Sequence, residues 1–132
     1  MHQVTAPAPF VHHIAIYASD FALSERIFTA ALGAIGIAAL YREPDVAEYW
    51  DPEEAHLSFA LVRAPRPDGV TRRAHVAFAA ADRDGVDRFN AAAIEAGARS
   101  KHAPRFWPEY RAYCAFLRDP DGNNIEALHK EA

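Results

Sequence analysis

Apolar and polar residues alternate along residues 11–18 and again along residues 73–80, which is the period of a half-buried strand. In the first run Ile14 and Ile16 share one face, while His13, Ala15 and Tyr17 share the other. In the second, Val76 and Phe78 oppose His75, Ala77 and Ala79. Each run is followed by an aspartate suited to capping a helix, Asp20 and Asp82. Apolar residues then recur at helical spacing, Phe21, Ile27, Phe28 and Leu32 before Gly33, and Val86, Phe89, Ala93 and Ile94 before Gly97. Shorter strand patterns follow each helix: 37–42, about 47–50 and 56–62, then 98–103, 110–117 and 123–129. Residues 65–69 and 104–108 read as loops, 119–122 as a turn, and 1–9 as a loose lead-in broken by prolines.

Strand, helix and three strands thus occur twice. An offset of 62 residues brings His13 onto His75, Asp20 onto Asp82 and Arg26 onto Arg88. The expectation is an α+β fold of two tandem βαβββ modules, about 10–63 and 72–129, within a single domain. A cleft commonly forms where such halves meet.

Composition narrows the function classes. Half of the 132 residues are hydrophobic, enough for an ordinary core. The net charge of −4 carries no basic face, which argues against nucleic-acid binding. No apolar run approaches the roughly 20 residues of a membrane span, and the N-terminus lacks the pattern of a signal peptide. The single cysteine, Cys114, excludes an intramolecular disulfide and fits a reducing compartment, so a cytoplasmic location is expected. Its apolar surroundings mark it as buried and inert.

The chemistry concentrates on three strand positions. The doublet His12–His13 is divided by alternation, and the offset matches His12 to Ala74 but His13 to His75. In the last strand Asn124, Glu126 and Leu128 share one face. Glu126 is a carboxylate in mid-strand among apolar neighbours, costly to bury without a partner. Two histidines and a carboxylate from three strands form a standard set for a divalent cation with open coordination positions. The alternatives are strand histidines that are merely satisfied polar groups and a glutamate facing solvent at a sheet edge.

His13 before Ile-Ala, Asp20 with Phe28, the HVAF of residues 75–78 and the closing DPDGNNIEA together resemble the vicinal oxygen chelate superfamily. That superfamily includes glyoxalase I, fosfomycin and bleomycin resistance proteins and extradiol dioxygenases, and the resemblance covers about residues 10–129. It implies paired modules whose sheets curl around a metal cleft. It also implies His13, His75 and Glu126 as ligands of a divalent Fe, Mn, Ni, Co or Zn ion. Glyoxalase-type members have a fourth ligand on the last strand of the first module. His56 is the candidate here, although matching HLSFAL to NNIEAL can place Ser58 opposite Glu126 instead.

The function so implied is a metal-dependent, glyoxalase-like lyase or isomerase acting on a small oxygen-bearing substrate. Glu126 or a metal-bound water would move protons. An extradiol-type dioxygenase and a non-catalytic small-molecule-binding protein are the alternatives. A homodimer is expected on the same ground. Tyr113 is a further candidate for proton transfer. Tyr110, Arg111, Arg105 and Trp107 are candidates for binding substrate, the arginines for an anionic one.

Overall fold

Local capping fixes the two helices. The computed structural model describes residues 10–54 and 58–132, so the expected lead-in and His56 lie outside the described residues. The Asp20 carboxylate accepts the Leu23 N–H at 3.1 Å and starts α1 (Phe21–Gly33). Asp82 accepts the Gly85 N–H at 2.7 Å and starts α2 (Arg83–Ala96). Gly97 ends α2 at φ +124°, where a Cβ would also stand 3.2 Å from Leu23 Cδ1 of α1. The glycine therefore serves both the turn and the close approach of the helices. Arg26 Nε completes the contact by donating to the Ala96 carbonyl at 3.0 Å.

The strands form two sheets of four. The first contains β1 (Ile14–Ala18), β2 (Ala38–Glu43), β3 (Val46–Trp50) and β4 (Phe59–Arg63), in the order β1-β4-β3-β2. The second contains β5 (His75–Ala79), β6 (Arg99–Trp107), β7 (Ala112–Arg118) and β8 (Asn124–Lys130), in the order β5-β8-β7-β6. In each sheet the first strand runs parallel to the last, and the remaining pairs are antiparallel. The duplicated α+β architecture is the one the hydrophobic pattern indicates. The sheets stay open and separate, because each module's first strand bonds to that module's last strand and not to the other module.

One element departs from expectation. Residues 104–107 continue β6 instead of forming a loop. The register slips between Ser100 and His102 and again between His102 and Arg105, next to Pro104. An edge strand with such irregularities accommodates a proline that an inner strand would not.

Both sheets turn their apolar faces inward onto the helices. Ile16, Phe59 and Leu61 of the first sheet share one buried core with Leu117, Ile125 and Ala127 of the second and with Phe28 and Phe89 of the helices. Phe59 stands at its centre, with ring centroids 4.9 Å from Phe28, 5.8 Å from Tyr49 and 5.3 Å from Phe78. Since side chains alternate, the remaining residues of each strand lie on the opposite face of its sheet. Among the described residues no helix is long and apolar enough to cross a membrane.

Candidate functional site

The outer face of the second sheet brings His75 and Glu126 together. His75 opens β5, Glu126 lies in β8, and His75 Nε2 stands 2.6 Å from Glu126 Oε1. The Glu126 side chain is only 6% exposed and that of His75 is 54% exposed, so a buried carboxylate meets a histidine open to solvent. Without that partner the carboxylate would carry a large desolvation cost.

The turn between β7 and β8 holds this pair in place. Asp119, in the DPDGN segment, accepts from the backbone N–H groups of Asp121 and Asn123 at 3.0 and 2.8 Å and from Asn123 Nδ2 at 2.9 Å. Asn123 in turn donates from Nδ2 to the Thr71 carbonyl and accepts the Ala74 N–H at Oδ1, both at 2.9 Å. Ala74 immediately precedes His75, and its carbonyl accepts the Asn124 N–H at 2.8 Å. The starts of β5 and β8 are therefore tied by a buried polar network. Asp121 reaches across to the first module, accepting from the Ser19 backbone N–H at 3.0 Å and from the Ser19 hydroxyl. The motif is a clasp, and its carboxylates are spent on hydrogen bonds within the fold.

A cavity of about 600 Å³ opens beside the pair, lined by Glu109, Tyr110, Arg111, Phe116, Leu128 and Lys130 as well as His75 and Glu126. Tyr110 and Arg111, candidates for substrate contact from the sequence, both line this cavity. Trp107 lies one layer back, its ring centroid 5.3 Å from Phe116, and the Arg105 guanidinium stacks 3.4 Å from its centre. His102 joins the same aromatic cluster, 5.2 Å from Trp107 and 5.8 Å from Phe116. Tyr113 points the other way. Its neighbours Ala112 and Cys114 face outward, while its phenol donates to Asp87 of α2 at 2.8 Å on the helix side. Sequence reasoning placed Leu128 on the Glu126 face without a role and passed over Glu109, Phe116 and Lys130. Lys130 shares the parity of Glu126 in β8 and was findable from it; Phe116 needed the pairing register, which sets it directly opposite Glu126.

His13 is placed differently. It precedes β1, so strand alternation does not govern it, and its Nδ1 lies 2.9 Å from Nδ1 of His12. The doublet expected to split across the sheet instead shares a hydrogen bond, because the regular strand begins only at Ile14. Among the described residues no group of three or more His, Cys, Asp or Glu side chains is gathered to hold a metal. The strand register also settles which first-module position matches Glu126. Glu126 pairs with Ala77, and Ala15, the counterpart of Ala77, pairs with Ala60. Ala60 has no donor to offer.

The donor chemistry of His75 and Glu126 fits a borderline divalent cation. The Asn124 Oδ1 atom, on the same face and opposite His75 in the register, is buried without a hydrogen-bond partner, as is Trp107 Nε1. Such orphaned atoms cost about 1–3 kcal/mol each unless a ligand or water meets them.

Cys114 lies beneath this floor and is fully buried. Burial first, then hydrogen bonding and the charge of Glu126, push its thiol up to about 12. The thiolate is the reactive form, so native metal-free protein at pH 8 is expected to react with a thiol reagent at least about 100-fold more slowly than urea-unfolded protein. Comparable rates in a stopped-flow absorbance assay would show that this face opens readily.

A family model described as the Glyoxalase/Bleomycin resistance protein/Dioxygenase superfamily matches residues 10–127. A search of the curated proteins finds no match. Among solved structures, a glyoxalase/bleomycin resistance protein from Albidiferax ferrireducens T118 is 29% identical, with a TM-score of 0.77 over 93% of this chain and 100% of that one. A lactoylglutathione lyase from Agrobacterium tumefaciens is 20% identical, with a TM-score of 0.66 over 94% and 96% of the two chains. A glyoxalase/bleomycin resistance protein/dioxygenase family enzyme from Burkholderia phytofirmans PsJN is 18% identical, with a TM-score of 0.67 over 91% and 98%.

Proposed function

From the premise that this chain belongs to the glyoxalase/bleomycin resistance protein/dioxygenase superfamily, we propose that it is a metal-dependent, glyoxalase-like lyase or isomerase. Its substrate is a small molecule bearing oxygen donors. The observation that carries this reading is the 2.6 Å His75–Glu126 pair on the wall of a cavity large enough for such a molecule. His75, Glu126 and His13 hold the cation, and the first-module register position matching Glu126 is Ala60. A divalent cation held by these side chains supplies Lewis acidity toward the substrate's oxygens. His75 presents Nε2 from the open side, and Glu126 accepts and returns a proton within the cavity.

The site is shared between two copies of the chain in a homodimer. His13 hydrogen-bonds to His12 and is not gathered with the His75–Glu126 pair among the described residues. A second copy supplying its own His13 resolves this separation. Tyr17 and Tyr41, 40% and 44% exposed on the first sheet, are large apolar groups that such packing would cover.

The test is metal analysis and light scattering on untagged protein. The parent is expected to be a dimer retaining metal after dialysis, and to turn over at least one class among dicarbonyl–thiol adducts and diols. A strictly monomeric protein that holds no metal would overturn the reading. Retained metal without turnover would leave a binding protein in place of an enzyme.

A further inference from the structure

The outer face of β7 and β8 is graded along its length. Glu126 lies opposite Phe116, Leu128 opposite Cys114, and Lys130 opposite Ala112, all on one face because alternate residues share it. From Glu126 to Lys130 the strand covers about 13 Å. One end carries the His75–Glu126 pair, the middle carries Phe116 and Leu128, and the far end carries Lys130 with Arg111.

The far end is built as a cationic terminus. Arg111 follows the 3-10 turn at Pro108–Tyr110 and adopts the left-handed backbone conformation, φ 50° and ψ 46°. A residue other than glycine held there is strained, and such strain clusters at ligand-binding positions. Its carbonyl accepts the Glu131 N–H at 2.7 Å, which pins the residue beside the end of β8. Lys130 Nζ donates to the Tyr110 carbonyl at 2.5 Å, so the ammonium is held at this end with donors to spare. Neither cation has a carboxylate ion pair among the described residues, and Glu109 is the one acid lining this end.

We infer that the cavity is cut for an elongated carboxylate. Its oxygen-bearing head lies at His75 and Glu126, its flat apolar body along Phe116 and Leu128, and its carboxylate between Arg111 and Lys130. This rests on the reading of His75 and Glu126 as the metal-binding end. A guanidinium and an ammonium together select a terminal anion over a neutral ester of the same shape. The apolar middle supplies affinity without polar recognition.

Calorimetric titration with 3,4-dihydroxycinnamate and its methyl ester tests this. The acid is expected to bind the parent about tenfold more tightly than the ester, in metal-free and manganese-loaded protein alike. The doubly substituted Arg111→Gln, Lys130→Met protein should bind both compounds with the ester's affinity. An acid-to-ester ratio near one in the parent would overturn the assignment. So would a ratio that survives the double substitution, or the absence of binding by either compound. If manganese adds nothing to affinity while the ratio stands, the anion end is upheld and the metal reading is what fails.

Discussion

A His13→Ala chain and a Glu126→Gln chain, each unable to hold metal alone, are expected to recover about a quarter of the parent's metal sites when refolded together. Random pairing makes about half of the dimers mixed, and in a two-fold dimer each mixed pair restores one of its two sites. The intact site takes His13 from the Glu126→Gln chain and the His75–Glu126 pair from the other. The expectation rests on geometry, since His75 and Glu126 are 2.6 Å apart while His13 sits with His12 at the start of the first sheet. Each single substitution should lower metal affinity by more than about 100-fold, because losing a direct ligand exceeds the 10–100-fold typical of an outer-shell partner. Glu126→Gln keeps the side chain's shape, so its loss reports charge and donor strength and not a collapsed wall. Metal content after dialysis, measured on each chain and on the mixture, gives the result directly. No recovery on mixing, with both single chains folded and dimeric, would place the whole site within one chain and sink the shared arrangement.

How much of this was legible in the sequence depended on whether a feature was local. Strand alternation and capping aspartates are local, and they located β5, β8, the end of β1 and both helix starts to within two residues, while β1 starts three residues later than its alternation suggested. The 62-residue echo was enough to reveal the duplication, because His13, Asp20 and Arg26 sit ahead of the loops whose lengths differ between modules. Beyond those loops the echo loses register. Only the pairing of β1 with β4 shows that Ala60 stands at the register position of Glu126. Pro104 suggested a loop because proline removes a donor, yet β6 is an edge strand with two register slips and can spare it. The His12–His13 doublet misled for a related reason: alternation applies only inside a strand, and β1 starts one residue later. Which outer faces look toward one another is a matter of tertiary arrangement, and no spacing in the chain encodes it.

Asp119→Ala is expected to cost about 4 kcal/mol of stability, and with it the alignment of His75 against Glu126. Asp119 is 2% exposed and Asn123 1% exposed, so no solvent stands ready to replace the lost carboxylate. Two backbone N–H groups and the Asn123 amide would be orphaned at about 1–3 kcal/mol each, less than additively because they share one pocket. For a chain of this size the loss corresponds to a fall in Tm of about 15 °C. Asp119→Asn should fall less, since it keeps an oxygen acceptor for the backbone while setting its amide against Asn123 Nδ2. Both variants also separate from the parent with pH. Burial pushes the Asp119 carboxyl above its ordinary value, with its hydrogen bonds opposing the shift only in part. A carboxyl whose folded value is raised favours the native state in its protonated form. Its contribution therefore declines as pH rises from the ordinary carboxylate value through the raised one, and is flat above it. Neither variant has such a decline, so the deficit of each relative to the parent should narrow across that window. Urea unfolding at several pH values measures both effects. A loss below about 1 kcal/mol for Asp119→Ala would mean that the DPDGN turn merely reverses the chain. The larger loss, accompanied by weaker metal retention at temperatures where the variant is folded, would mean that the turn also holds the Ala74–Asn123 tie on which the site's geometry depends.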